Sequence, residues 1–191
     1  LHPFVMGMIV SALVGIALTL PISSAAICAA LGLTGLAGGA AVAGCSAQMI
    51  GFAVMSFREN KTGGLLSQGL GTSMLQMPNI IKNPKIWIPP ILTSLITGPI
   101  ATCIFGLEMN GTAVSSGMGT CGFVGQIGVI TGWYSPSEVA VSHGATAISP
   151  TFFDWLGLIL ICFVLPAVLT WAFGLFFRKI GWIKDGDLKL N

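Results

Sequence analysis

Charge is what this chain lacks most. Only 7% of its 191 residues are Asp, Glu, Lys or Arg, while 54% are hydrophobic and the mean hydropathy is +0.91. A soluble globular domain carries roughly a quarter charged residues, so the composition excludes that class and points to a lipid bilayer. The net charge of +2 is too small for nucleic acid as a partner, and no basic stripe with interleaved aromatics is present. From Pro3 to Phe57 there is no charged side chain at all.

Other absences narrow the function. The five cysteines, Cys28, Cys45, Cys103, Cys121 and Cys162, form no C-x-x-C pair. They imply neither a zinc site nor a disulfide framework and read as small core residues. There is no G-x-S-x-G, no P-loop, no H-E-x-x-H and no pair of carboxylates within a span. Hence no catalytic constellation, metal or cofactor is expected. No ordered run of charges suits voltage sensing. Leu1-His2-Pro3 offers no initiator Met and no basic n-region, so the start does not read as a signal peptide. The chain reads as part of something longer.

What is present is a repeated heptapeptide. Ser67–Ser73 reads SQGLGTS and Ser115–Cys121 reads SSGMGTC, both S-x-G-[L/M]-G-T-[S/C]. Gly-rich, hydroxyl-bearing backbone does not suit a lipid-facing helix, because its polar groups find no water in lipid. It suits backbone folded inside protein. Two such interruptions in corresponding places point to a transporter's substrate site. Gln68, Thr72, Ser73, Thr120 and Gln126 are the candidate hydrogen-bonding groups for an uncharged, hydroxyl-rich solute, since amides and hydroxyls both donate and accept. Gly69, Gly71, Gly117 and Gly119 would permit close backbone approach and positive φ.

The spans follow from length, about 20 apolar residues for each crossing. Phe4–Leu20 is the first, ended by Pro21. Ser23 or Ser24 then caps a small-residue helix. Gly32–Gly44, GLTGLAGGAAVAG, predicts close helix–helix contact, and Cys45–Phe57 continues with Gln48. Ile86–Phe105 and Phe152–Phe177 are further spans. Trp87 suits an interface, and Trp133–Pro150 reads as a polar loop. Arg58–Lys61 and Lys82–Lys85 flank Leu65–Ile81, and the tail carries Arg178, Lys179 and Lys184. Placing these clusters on the cytoplasmic side makes Leu65–Ile81 and Gly111–Ile130 two re-entrant hairpins entering from opposite faces. The expected fold is therefore an all-α polytopic membrane protein, multi-pass in the cell membrane, with a cytoplasmic tail.

The run from Leu20 to Leu92, above all GLGTSMLQMPNIIKNPKIWIPP, resembles the enzyme IIC-like membrane domains of the phosphotransferase system, and the ending RKIGWIKDGDLKL is similar too. The resemblance covers nearly the whole chain and implies that residues 1–191 are the C-terminal part of such a permease domain. It implies a sugar permease that moves its solute by alternating access. It also implies a homodimer, a sugar held between re-entrant hairpins, and a separate IIB-type phosphoryl donor. The family's N-P-x-x-x-I-P segment matches Asn83–Pro89. Counting back from Asn83, the family's hairpin glutamate falls near Thr72, where this chain has Gly71-Thr72-Ser73 and no acid. That departure favours an alternative, a non-phosphorylating transporter or receptor that keeps the fold. At most, the chain is the membrane subunit of a sugar phosphotransferase.

Overall fold

A computed structural model describes residues 2–191. Among these all the regular elements are helical, with a single isolated bridge between Gly35 and Met109 as the only β pairing. Helix α1 (Pro3–Thr19) starts with proline in its first turn and stops before Pro21. The short α2 (Ser24–Ala30) is capped by Ser23, whose side chain accepts from the Ala26 amide. A left-handed Gly32 ends that helix. Helix α3 (Gly35–Met55) then runs unbroken for 21 residues, joining the glycine-rich stretch and the Gln48 segment into one element.

α3 is the axis of the molecule. Small residues let its neighbours approach to backbone distance, which is the packing that membranes favour where no hydrophobic effect operates between helices. A Cβ on Gly44 would overlap the Ser11 carbonyl of α1, and one on Gly39 would overlap the Leu107 carbonyl. Helix α4 (Phe57–Leu66) follows α3, kinked at Lys61. A π turn (Ser67–Gly71), an extended Thr72, a 3₁₀ turn (Ser73–Gln76) and α5 (Met77–Lys82) come next. Helix α6 (Ile88–Pro99) is preceded by a 3₁₀ turn from Pro84 and extended by a π turn to Ile104.

The second Gly-rich segment holds α7 (Ala113–Ser116), a 3₁₀ turn (Cys121–Phe123) and α8 (Val124–Tyr134). Trp133 therefore lies in a helix, buried, and the stretch expected to be a loop contains α9 (Glu138–Ser142). Helix α10 (Phe152–Ile159), a π turn (Leu160–Val164) and α11 (Leu165–Lys179) make one long apolar rod. Pro166 stands just past that π turn. Its missing N–H and its ring both disfavour a regular α turn there. Asp154 closes a capping box with Thr151 at the start of the rod.

Three rods are long and apolar enough to cross a membrane: Gly35–Met55, Pro84–Ile104 and Phe152–Lys179. The first is almost wholly enclosed by protein, the second a little over half and the third only about a third. Contacts give their directions. Ser11 meets Gly44, and Thr19 meets Gln48, so α1 runs parallel to α3. Gly7 meets Gly98, and Thr102 donates to Pro3 O, so α6 runs antiparallel to both. Gly51 meets Thr170, and Gly174 meets Met55, so α11 runs parallel to α3. All eight Lys and Arg then gather at one end, around Met55, Pro84 and Lys179, while Glu108, Glu138 and Asp154 lie at the other.

Candidate functional site

The two heptapeptides, separate in sequence, meet in space. Thr120 Oγ1 donates to Gly69 O at 2.5 Å, and both groups are buried. The π turn that presents Gly69 arises because the Thr72 amide reaches back to Ser67 O. This leaves Thr72 extended, with its hydroxyl capping the Met74 amide. On the other side Gly119 adopts φ 53° and lies against Cys45 and Ser46 of α3, where a side chain would clash. Gly122 and Phe123 are left-handed as well. This tight tip is what turns Thr120 toward Gly69.

The glycine expectation holds in part. Gly119 needs its positive φ, and Gly117 needs its size because Ser24 of α2 packs on it and donates to its carbonyl at 2.7 Å. Gly69 and Gly71 do neither. Their φ angles are not positive, a Cβ at Gly69 would make ordinary contacts, and one at Gly71 would meet open space.

The remaining candidates divide into two groups. Ser73 is buried and hydrogen-bonds Thr19 at 2.8 Å. Thr19 also donates to Gln48 Oε1 at 3.2 Å, and Gln48 Oε1 accepts from the Trp87 indole at 2.9 Å. Trp87 is thus an internal donor as well as an aromatic at a helix start. Gln126 lies across α3, donating at 3.4 Å to Ser46 Oγ. Gln48 Nε2 and Gln126 Oε1 are buried without a hydrogen-bond partner, and such groups normally have one. Gln68 points away from the junction. Its Nε2 donates to Ser56 and Gly64 O, and its Oε1 accepts from Gln76.

Sequence reasoning passed over Thr19 and Ser46 as site groups. Each is a single hydroxyl on an apolar or small-residue helix, and only the fold brings them to the junction. The junction so assembled is neutral. Its polar groups are hydroxyls, amides and backbone, and the nearest carboxylates in sequence are engaged elsewhere, Glu59 by Arg178 and Glu108 by Asn110, each at 2.8 Å. A cavity of about 420 Å³ lies elsewhere, among Phe105, Glu108, Asn110, Trp133, Thr146 and Asp154 at the acidic end. Its acids are engaged locally, Glu108 by Asn110 and Asp154 by Thr151. We place the candidate site at the heptapeptide junction because the unpartnered buried amides flank it.

An all-helical membrane protein with a neutral, polar core between two broken segments is the class that fold and site define. A family model described as phosphotransferase system, EIIC, matches residues 1–190, and the chain belongs to that family. It is a membrane permease component of that system. Neither the curated proteins nor the solved structures contain a match to it.

Proposed function

We propose that this permease component carries a small uncharged, sugar-like solute by alternating access around the Ser67–Ser73 and Ser115–Cys121 segments. The Thr120–Gly69 contact carries this reading, because it joins two polar, non-helical segments inside an otherwise apolar protein. In transporters, broken helices facing each other near mid-membrane form the substrate site. The groups at hand, Thr19, Gln48, Ser73, Thr120 and Gln126, suit hydroxyl groups that donate and accept. No buried charge at the junction calls for an ionic solute. Gln68, Thr72 and Gly119 shape the two segments, and Gly71 leaves open space beside the first.

Both segments are read as re-entrant hairpins. Asn60 and Asn79 bond the same short stretch of the tail, which supports the two ends of the first lying on one side. Gly111 lies against Gly128, and Ser137 N donates to Asn110 O, which supports the same for the second, from the acidic end. By the positive-inside rule the Lys- and Arg-bearing end, tail included, is cytoplasmic, and the chain is multi-pass. Residues 1–191 act as the C-terminal part of a homodimeric enzyme IIC-like domain served by a separate IIB-type phosphoryl donor.

One observation favours the second reading, transport or sensing without phosphorylation. Neither heptapeptide contains an acid, and Glu59 is committed to Arg178. The test is a sugar panel screened by thermal shift on the full-length protein, followed by uptake with and without phosphoryl donor. A stabilising sugar whose binding is lost in Thr120→Val supports the solute site. Uptake that persists without donor selects the second reading. A panel without any response overturns the sugar assignment.

A further inference from the structure

The stretch from Asp187 to Leu190 is fastened along its length to the two ends of the first hairpin. Asn60 Nδ2 donates to Leu188 O and Asn60 Oδ1 accepts from Leu190 N, both at 2.8 Å. One amide side chain thereby makes the pair of bonds that a neighbouring strand would make. Gln76 Nε2 donates to the same Leu188 O at 3.0 Å, Asn79 Nδ2 to Lys189 O at 2.9 Å, and Asn83 Nδ2 to Asp187 Oδ2 at 2.8 Å. Leu188 is fully buried, in a cluster with Phe52, Ile80, Ile86 and Phe177. Nearly every bond goes to the backbone of the stretch, so its path is held with little regard to its side chains.

This fastening reaches the candidate site. Gln76 Nε2 also donates to Gln68 Oε1 at 2.8 Å, and Gln68 is the second residue of the first heptapeptide. Loss of the tail would leave Gln76 and Asn79 short of an acceptor in buried surroundings, where an unpaired amide is costly. A second, independent feature is the joint beside Asn60. Lys61 has φ 53° and ψ −148°, a conformation that glycine adopts without strain and other residues do not. Gly63 and Gly64 follow. The first limb of the hairpin is thus attached to α3 through a strained pivot, and the tail spans that pivot to the opposite limb at Asn79.

We propose that Asp187–Leu190 is a strap that holds the first hairpin shut at the Lys- and Arg-bearing end. Its release, with rotation at Lys61, opens the junction toward that face. The proposal rests on the hairpin reading given above, and it adds the element that controls opening.

The test is amide hydrogen exchange on the full-length protein in nanodiscs, comparing the parent with two strap variants that leave the hairpin sequence untouched. Leu190→Pro removes the N–H that Asn60 accepts, and Leu188→Ala loosens the buried anchor. The expected result is exchange about tenfold faster across Gly64–Gln76, the scale set by losing one or two net hydrogen bonds, with α1 and α6 unchanged. Acceleration confined to 187–190 in both variants overturns the strap. The milder Leu190→Pro keeps the test decisive if Leu188→Ala fails to fold. Solute binding on the same proteins separates the two ideas. Faster hairpin exchange with no solute bound by any of them retains the strap and removes the solute reading. Unchanged exchange with binding intact removes the strap alone.

Discussion

Gly44 of α3 lies directly on the Ser11 backbone of α1, with no room for a methyl group between them. Gly39 stands in the same relation to Leu107. Backbone cannot move aside as a flexible side chain can. Gly44→Ala or Gly39→Ala should therefore destabilise the protein by about 3 kcal/mol, the upper part of the usual range for overpacking. Gly71→Ala, which faces open space, should stay within about 0.5 kcal/mol of the parent. Thermal unfolding in one detergent checks all three, and similar losses at positions 44 and 71 would refute the packing argument.

Removal of the Thr120 hydroxyl leaves Gly69 O buried without a donor. Thr120→Val should cost about 1–3 kcal/mol, the usual penalty for an orphaned buried group, and should weaken solute binding. Thr120→Ser keeps the hydroxyl and should recover most of both. A valine variant as stable as the parent would show that the two segments are not coupled through this bond.

Arg178 is enclosed, with its side chain 10% exposed and that of Glu59 7% exposed. It also reaches Met55 O at 3.3 Å and the exposed Asp185. Breaking a buried pair from one side strands the other charge. Glu59→Gln or Arg178→Met alone should cost about 3–5 kcal/mol, and the double variant distinctly less than the sum. A double-mutant cycle on thermal stability measures this, with strict additivity as the contrary outcome.

Lys61 holds a glycine-like conformation while exposed to solvent. Relief of strain of about 1–3 kcal/mol should exceed the extra flexibility glycine gives the unfolded chain, about 1 kcal/mol. It should also exceed the weak attraction of its ammonium for Phe57, 5.9 Å away. Lys61→Gly is therefore expected to raise stability and Lys61→Val to lower it. Equal melting temperatures would mean that the pivot stores no strain.

Much of this architecture was legible in the residues. The apolar rods, the close packing of the glycine-rich stretch and the serine cap at α2 all follow from local rules. So does the burial of both heptapeptides inside protein, since polar backbone in an apolar chain finds no water in lipid, whereas their direct contact at Thr120 and Gly69 comes from the fold. The strap was not legible. Asn60, Gln76 and Asn79 are ordinary polar residues in sequence, and their common partner lies more than a hundred positions away. Trp87 was likewise read from its helix-start position, whereas its indole N–H is spent on Gln48 inside the protein. In each case the deciding contact is long-range, and no local pattern encodes it.

The bareness of α3 has a further effect on how this protein can change over generations. Any replacement of glycine adds at least a Cβ, and at Gly39 and Gly44 that atom has nowhere to go. The central rod is therefore closed to gradual drift at these points, while the outward face of α11, with Val168, Trp171 and Phe176 exposed, accepts one apolar residue for another. Divergence in this fold should accumulate on its exposed apolar rim and leave the axis nearly untouched.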